Sequence, residues 1–424
     1  MLALPISPRN GHLTRRQEWL LLLMAFGGSI VIHSPSLLFL PHVPNLSQNL
    51  TQSQITSINY FRGLLFFVIT GSLLVIIGKQ FLMFLHDQKG KIVFGRVFLN
   101  SFIVSIVLSI LILPVKLGIM GVGYAALSID PFTSNDPSFQ LHQRLMMPAI
   151  AYFLQFKDAV LYHLFSIFIS FLCIFGLQLF FETRKIILSR LEIISLSTTC
   201  VIATQFQSPG YTESMVILTA LLLFAVPMNS WGRLSLVIIA LFVHESSVLL
   251  FAAVSLLYFD ASEKKLFAAA LLLYAICWIL SFGFDVERMI NVRNVGGVGG
   301  LEWLVGNPYR ELLGIALSFK ALWIILFVVI YRFPAHGKML AILLMPGIVA
   351  TTLAVDTTRL LALSFLPFLC AIEYAKRYAL ISVRHQRYLH VVNIAIPSVY
   401  VGLNSGMVFF DGIYQLIYQG VFFK

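Results

Sequence analysis

The chain has 424 residues, of which 59% are hydrophobic and 11% are charged, and its mean hydropathy is +0.90. Soluble domains carry about 25% charged residues and disordered chains have low hydrophobicity, so both classes are excluded and a polytopic membrane protein is predicted. The 29 Lys and Arg residues exceed the 18 Asp and Glu residues. In a membrane protein such an excess indicates basic cytoplasmic loops and not a nucleic-acid partner.

The N-terminal segment carries Arg9, Arg15 and Arg16 ahead of an apolar run that begins at Trp19. No convincing small-residue cleavage site follows that run, so we expect a retained first helix with a cytoplasmic N-terminus. The four cysteines lie in separate apolar runs without a CxxC pair. They are expected to be small buried side chains, and no disulfide framework or zinc site is indicated.

Apolar runs long enough to cross a bilayer, about 20 residues each, follow one another along the whole chain. The stretch 234–258 is either one long helix or two short helices, 234–243 and 247–258, that meet at His244. The sequence therefore predicts an all-α protein with about 11–13 membrane segments, forming a single membrane domain over 1–424 with no soluble domain. The other runs lie near 18–40, 59–78, 95–115, 159–181, 191–206, 212–228, 266–284, 311–331, 337–354, 358–375 and 389–405.

Charge decides between the two interpretations of 234–258. With the N-terminus inside and a broken pair, 19 of the 29 bases fall on the inner side. A single helix would place the basic cluster 376–387 outside, against the positive-inside rule. The broken pair is therefore favoured. Because broken backbone at membrane depth is tolerated only where it is buried in protein or lines a wet cavity, we also predict a cavity at His244 and Glu245.

In this topology the outer side carries 11 of the 18 acids and is where we expect the chemistry. The first long outer stretch is 116–158. Two Asp-Pro steps, at Asp130 and Asp136, favour turns, and an amphipathic stretch with His142 and Arg144 follows them. The stretch is either an interfacial or re-entrant helix with solvated charges, or a substrate loop with a carboxylate base and a phosphate-binding arginine.

Two more candidates lie at breaks between apolar runs. Glu213 follows a tight turn at 207–212, and its carboxylate either favours the dipole of the next helix or belongs to a site. His244 and Glu245 interrupt an apolar run, and a charge at membrane depth is costly and suggests function. The alternative is a hydrogen-bonded structural pair at a helix break. A zinc-protease HExxH motif is excluded because Val248 stands where its second histidine belongs.

The remaining candidates lie farther along the chain. The second long outer stretch, 285–310, holds Arg293 beside several glycines. These glycines fit neither a Walker nor a Rossmann motif and indicate either a flexible lid or an inert linker. Asp356 and Arg359 stand three residues apart at a helix start, where they either pair with each other or leave Arg359 to hold a phosphate.

This combination of short motifs resembles the multi-spanning GT-C-type glycosyltransferases and the polysaccharide-polymerase membrane proteins of the EpsG/Wzy kind. The motifs are an outward Asp in a long loop, a basic segment ending in Pro148, the Gly-x-x-Glu turn at Gly210, the His-Glu break at His244 and the Asp-x-x-Arg helix start at Asp356. The resemblance implies transfer of a sugar from a polyprenyl-phosphate carrier to a glycan or lipid acceptor. It also implies that the reaction takes place on the non-cytoplasmic face. The short loops and the lack of a retention signal favour a location in a bacterial inner membrane.

Residue roles follow from that resemblance. A carboxylate, Asp130 or Asp136, would deprotonate the acceptor hydroxyl, while His244 and Glu245 orient or protonate groups in the cavity. Arg144, Arg293 and Arg359 would stabilise the phosphate. His142, Glu213 and Asp356 complete the expected binding set. Mg or Mn would suit carboxylates and phosphate, but the sequence requires no cofactor.

Two other activities fit the same residues. A transporter or flippase for lipid-linked or anionic solutes would bind its cargo with the same arginines without reacting. A membrane acyltransferase would use His244 as its base.

Overall fold

The structure, a computed structural model, describes residues 13–38, 51–88, 94–112, 117, 119–132, 143–286, 300–354, 356–402 and 406–409. The predicted all-α membrane fold is confirmed for these residues, apart from one short hairpin near the C-terminus. The helices of the first half are α1 Arg15–Leu38, α2 Gln52–Asp87, α3 Phe94–Leu111, α4 Ile119–Ile129, α5 Met146–Phe153, α6 Ala159–Glu182, α7 Arg190–Ser197, α8 Cys200–Gln207 and α9 Glu213–Ala225.

The second half continues with shorter and more often interrupted helices. They are α10 Ser230–Val243, α11 Ser247–Tyr258, α12 Ala261–Ser281, α13 Gly300–Gly306, α14 Pro308–Phe319, α15 Leu322–Arg332, α16 Pro334–Leu353, α17 Thr357–Leu361, a 3₁₀ turn at Ala362–Ser364, α18 Phe365–Arg377 and α19 Val383–Ala395. Strand β1, Val399–Gly402, pairs antiparallel with β2, Gly406–Phe409, with Tyr400 opposite Val408.

Six described helices are long and apolar enough to span a membrane. A seventh span is formed if α14 and α15, which meet at 82°, count as one. The apolar helices α9, α10 and α11 are shorter, with 13, 14 and 12 residues. Large apolar side chains stay exposed on the outer helices, such as Leu64, Val75 and Phe98. A soluble protein rarely exposes so large an apolar surface, so these helices are those of an integral membrane protein.

Polar side chains at the helix starts explain several of the boundaries. The Asp158 carboxylate accepts a hydrogen bond from the Leu161 N–H at the start of α6. Ser189 and Glu192 form a capping box at α7, and Asp260 does the same at α12. Each of these side chains satisfies backbone N–H groups that have no partner within the helix.

The predicted broken pair is confirmed. Helix α10 ends at Val243 and α11 begins at Ser247. The chain also turns back at this point. This is shown by Arg233 near the start of α10, whose Nε lies 2.9 Å from Oε1 of Glu263 in the first turn of α12. The stretch 234–258 is therefore a hairpin of two short helices, as the charge distribution predicts.

Three other predicted spans are wrong in form. The run 191–206 is two short helices, α7 and α8, because the Thr198 and Thr199 hydroxyls bond to the preceding carbonyls of Ser195 and Leu196. Such local bonds compete with the helix. The run 311–331 bends at Lys320, whose φ of +52° ends α14.

The run 389–405 is only partly helical. Pro397 follows the last turn of α19 and lacks the N–H that a continuing helix needs. The β-branched and aromatic residues after it form β1 instead. This strand lies against α8, α14 and α17, so it belongs to the helical core and is no membrane span.

The described residues within 116–158 form helices and not only a loop. The stretch contains α4 and α5, which pack against each other, and α4 also contacts α6. Of the second outer stretch, the structure describes a short helix, α13, and the start of α14.

Buried polar contacts lie near both ends of the central helices. Glu213 stands at the first residue of α9, whereas the Phe224 carbonyl near its end accepts from Arg184. Between these positions the helix rises about 16 Å, at 1.5 Å per residue. The segment from Thr357 to Arg377 likewise has Arg359 at its start and Glu373, paired with Arg184, near its end. Arg184 and Arg359 therefore lie at opposite ends of these helices. Which end faces the cytoplasm stays a prediction.

Candidate functional site

Seven buried or half-buried side chains from five chain segments form one continuous row, which we call the charged row. Its members come from the segment before α5, the start of α9, the α10–α11 break, the start of α17, and β1. They are, in order of contact, Arg144, Glu245, His244, Glu213, Arg359, Asp356 and Tyr400.

Arg144 and Glu245 form the first pair of the row. The Arg144 Nε lies 3.0 Å from Glu245 Oε2, and Nη2 lies 2.5 Å from Oε1. The third nitrogen, Nη1, donates to the Tyr124 hydroxyl at 3.1 Å. The two parallel bonds make this a bidentate pair, which is stronger and more specific in geometry than a single contact. Only 7% of Arg144 is exposed.

His244 links the two glutamates. Its Nδ1 accepts a hydrogen bond from the Ser246 backbone N–H at 3.0 Å, so the proton of the neutral ring belongs on Nε2. Nε2 lies 3.3 Å from Glu213 Oε1, and Nδ1 lies 3.5 Å from Glu245 Oε2. The helix break thus presents one imidazole between two carboxylates.

Arg359 continues the row on the other side of Glu213. Its Nη1 lies 3.4 Å from Glu213 Oε1, and its Nη2 donates to Asp356 Oδ2. The other oxygen of Asp356 accepts from the Tyr400 hydroxyl. The guanidinium also stacks on Tyr211, with 4.4 Å from its carbon to the ring centre. The turn at the start of α17 and strand β1 therefore orient Arg359 together.

The charged row lies beside the middle of a helix that is long enough to span a membrane. The Cys173 Sγ donates to the Ser214 carbonyl at 3.1 Å, which places Glu213 beside the middle of α6. Helix α6 has 24 residues and is therefore about 36 Å long, compared with about 30 Å for a hydrocarbon core. Charges at this depth are costly and point to function.

The row is not neutral. Its two arginines face three carboxylates, so its formal charge is −1 when His244 is neutral. Several buried polar atoms in it have no hydrogen-bond partner, among them both Glu213 oxygens, His244 Nε2 and Arg359 Nη1. Buried polar groups are normally hydrogen-bonded. His244 Nε2 and Arg359 Nη1 instead face Glu213 Oε1 at 3.3 and 3.4 Å, so a substrate that binds these atoms would compete with two ion-pair contacts.

A glycine turn positions Glu213 at the start of α9. Gly210 has φ +99°, and its carbonyl accepts from the Tyr162 hydroxyl at 3.3 Å. Its Cα faces Gly121 of α4 so closely that an added Cβ would meet the Gly121 Cα at 2.7 Å. Both the dihedral angle and the close backbone contact require glycine.

Replacing Gly210 with alanine is expected to destabilise the protein by about 1–3 kcal/mol, since the new Cβ overlaps backbone. Thermal unfolding of the detergent-purified protein measures the change. Gly71→Ala is the matched control, because an added Cβ there meets no atom within 4 Å. Equal stability of the two variants would contradict the proposed close approach of α4 and the turn.

The structure brings together six of the residues that the sequence singles out. These are Arg144, Glu213, His244, Glu245, Asp356 and Arg359. Asp130 stands exposed just after α4, six residues beyond the Tyr124 that reaches Arg144. Asp136, His142 and Arg293 lie outside the described residues, so their roles stay predictions.

The sequence interpretation misses four side chains around the row. Tyr124, Tyr211 and Tyr400 hold the arginines or Asp356, and the fourth side chain, His33 of α1, lies within the electrostatic influence of the Glu245 carboxylate. His33 is fully buried, with its ring edge-on to Tyr274. A tyrosine within an apolar run gives no sign of such a role in the sequence.

The described residues contain no group of three His, Cys, Asp or Glu side chains arranged to hold a metal ion. The carboxylates of the row contact arginines instead, Glu245 with Arg144 and Asp356 with Arg359. A role for Mg or Mn therefore rests on the sequence prediction alone.

Ion pairs at the end of the helices opposite the charged row connect α6, α7 and α18. Arg184 joins α6 to Glu373 of α18, and Lys376 joins α18 to Glu192 of α7, at 3.1 and 2.7 Å between nitrogen and oxygen. His390 Nδ1 meets the Ser195 hydroxyl at 2.9 Å and so attaches α19 to α7. Ser195 is itself fully buried, so this group is best explained as structural.

Comparison of the chain with models of known protein families, with curated proteins and with solved structures finds no match in any of the three.

Proposed function

We propose that this protein is a membrane glycosyltransferase or glycan polymerase that uses a polyprenyl-phosphate-linked sugar at the charged row. The observation that supports the proposal is the meeting of six candidate residues in one row of contacts. Two guanidinium groups that suit a phosphate stand there beside carboxylates and an imidazole that suit proton transfer.

The depth of the row fits a lipid-linked donor. The prenyl chain would stay in the hydrocarbon, and the phosphate would reach the arginines from the membrane without leaving it. The transferred sugar would then lie beside Glu213 and His244. A soluble donor would not need its binding groups halfway along a membrane helix such as α6.

Exchange of partners explains how the donor activates the site. In the free protein Arg359 contacts Glu213 and Asp356, and Arg144 contacts Glu245. A donor phosphate that binds Arg359 takes the place of a carboxylate. Glu213 then loses a stabilising positive neighbour and becomes a stronger base for the acceptor hydroxyl.

The transfer step exchanges one bond at the anomeric carbon of the sugar for another. The acceptor oxygen forms a bond to that carbon while its proton passes to Glu213. The bond from the carbon to the phosphate oxygen breaks, and the electron pair leaves with the phosphate. Arg359 and Arg144 stabilise the charge that develops there, as fixed donors do in other group-transfer sites.

The test uses the full chain reconstituted in nanodiscs with radiolabelled polyprenyl-phosphate and polyprenyl-diphosphate sugars and a lipid or glycan acceptor. We expect labelled product that depends on Arg359. Lys265→Gln, which removes an exposed base from α12, serves as the control for lost charge. In sealed vesicles, movement of the labelled donor without any covalent product would instead identify a transporter and overturn the proposal.

Tyr400→Phe tests the support that β1 gives to Arg359. The variant loses the hydroxyl that bonds Asp356, so we expect a loss of about 1 kcal/mol in stability and a several-fold lower transfer rate. Tyr388→Phe, on an exposed position of α19, is the control. A rate unchanged in Tyr400→Phe would show that β1 does not position the arginine.

A further inference from the structure

An open groove with a basic mouth lies between α15 and the α18–α19 connection, at the end of the protein opposite the charged row. Its volume is about 600 Å³. The ring of Phe333, next to α15, packs against Tyr374 and Tyr378 at the end of α18, and Tyr374 adjoins the Glu373 that pairs with Arg184. The groove therefore lies at the end of the protein that carries the Arg184–Glu373 pair, opposite the charged row.

The floor of the groove is apolar. Ile324, Phe327 and Val328 occupy one face of α15 at the spacing of helical neighbours, and Leu380 and Ile381 form the other wall. Phe327 is 60% exposed. Along α15 this surface extends about 12 Å from Ile324 to Arg332, which suits an extended hydrocarbon chain.

The mouth of the groove is basic. Arg332 ends α15, and His385 stands in the first turn of α19, whose N-terminus also attracts anions. Arg384 precedes His385 on the same turn, and α19 contains no Asp or Glu. The nearest described carboxylate at the end of α18, Glu373, is already paired with Arg184 and Arg377.

Aromatic side chains place this mouth at the level of lipid headgroups. Tyr331, which lines the groove, is 80% exposed, and Tyr378 just after α18 and Tyr388 on α19 are exposed as well. Tyrosines of this kind concentrate where the hydrocarbon meets the headgroups. The apolar floor therefore faces the acyl chains and the basic mouth faces the phosphates.

We propose that this groove is a binding site for one anionic phospholipid of the bilayer. Its phosphate and anionic headgroup would contact Arg332 and His385, and one acyl chain would lie along Ile324 and Phe327. Basic pockets between membrane helices recognise anionic headgroups in this way. The site would stabilise the α18–α19 connection, and it is independent of the reaction at the charged row.

The test measures lipid retention by native mass spectrometry and the thermal unfolding midpoint of the full-length protein. The protein is titrated with phosphatidylglycerol or phosphatidylcholine of the same acyl chains. We expect retained phosphatidylglycerol and a higher midpoint, with a much weaker effect of phosphatidylcholine. The affinity of the double variant R332Q/H385Q for phosphatidylglycerol should be about tenfold lower.

The double variant R16Q/K265Q changes two exposed basic residues elsewhere and controls for general charge. Equal retention of both lipids by the unaltered protein would overturn the proposal, and so would equal loss in the two double variants. If millimolar inorganic phosphate raised the midpoint as much as phosphatidylglycerol does, the groove would be a phosphate site and the lipid assignment would be wrong.

Discussion

Replacing Glu213 with glutamine is expected to lower the rate of sugar transfer by about 10²–10⁴-fold, the usual contribution of a positioned general base. Glu213 lies between His244 and Arg359, and glutamine keeps its shape while losing its capacity to accept a proton. Arg359 retains its bond to Asp356 in the variant. Single-turnover rates in nanodiscs measure the effect per folded molecule.

Glu302→Gln is the matched control, since this carboxylate is exposed on α13, and we expect it to keep the full rate. A purely structural role for Glu213 makes a different prediction. The variant would then unfold at lower temperature, but each folded molecule would still react at the normal rate. That outcome would remove Glu213 from the mechanism.

Replacing Arg144 with glutamine is expected to destabilise the protein by about 3–5 kcal/mol, because Glu245 is left as an uncompensated charge in a low-dielectric interior. The two side chains are 9% and 17% exposed and share two bonds. The double variant R144Q/E245Q removes both charges and should recover much of the loss. Unfolding midpoints of the unaltered protein, R144Q, E245Q and R144Q/E245Q form a double-mutant cycle.

An exposed ion pair provides the control for this cycle. Arg96 and Glu182 are also in contact, at 2.7 Å, but Arg96 is 39% exposed. Solvent screens such a pair, so R96Q should cost at most about 1 kcal/mol. If R144Q were no more harmful than R96Q, the buried bidentate pair would contribute nothing special, and the row would not depend on it.

The charged row illustrates how much can be predicted from local pattern. Charges that interrupt apolar runs are conspicuous in a chain with so few of them, so Glu213, His244, Glu245, Asp356 and Arg359 stand out in the amino-acid sequence alone. Their chain positions predict one common end of the bundle. The pattern does not reveal that His244 contacts Glu213 or that Arg144 pairs with Glu245, since each contact joins segments that are many residues apart in the chain.

Some breaks in the helices can likewise be predicted from the sequence, and others cannot. The break at His244 is predictable because charge balance requires the chain to turn back there. The bend at Lys320 cannot be predicted in this way, because no glycine or proline stands there. The break at Thr198 depends on hydroxyl groups that can also bond to carbonyls inside a continuous helix. The strand at Val399–Gly402 forms because it finds a partner in Gly406–Phe409 and a surface on α14 and α17.

By itself, then, the sequence determined the membrane class and the hairpin at 234–258. These features depend on hydropathy and charge, which act residue by residue along the chain. Tertiary structure alone decided which carboxylate meets which arginine, and it recruited Tyr124, Tyr211 and Tyr400 to hold them. Such choices depend on distances between helices, and no local propensity encodes those distances.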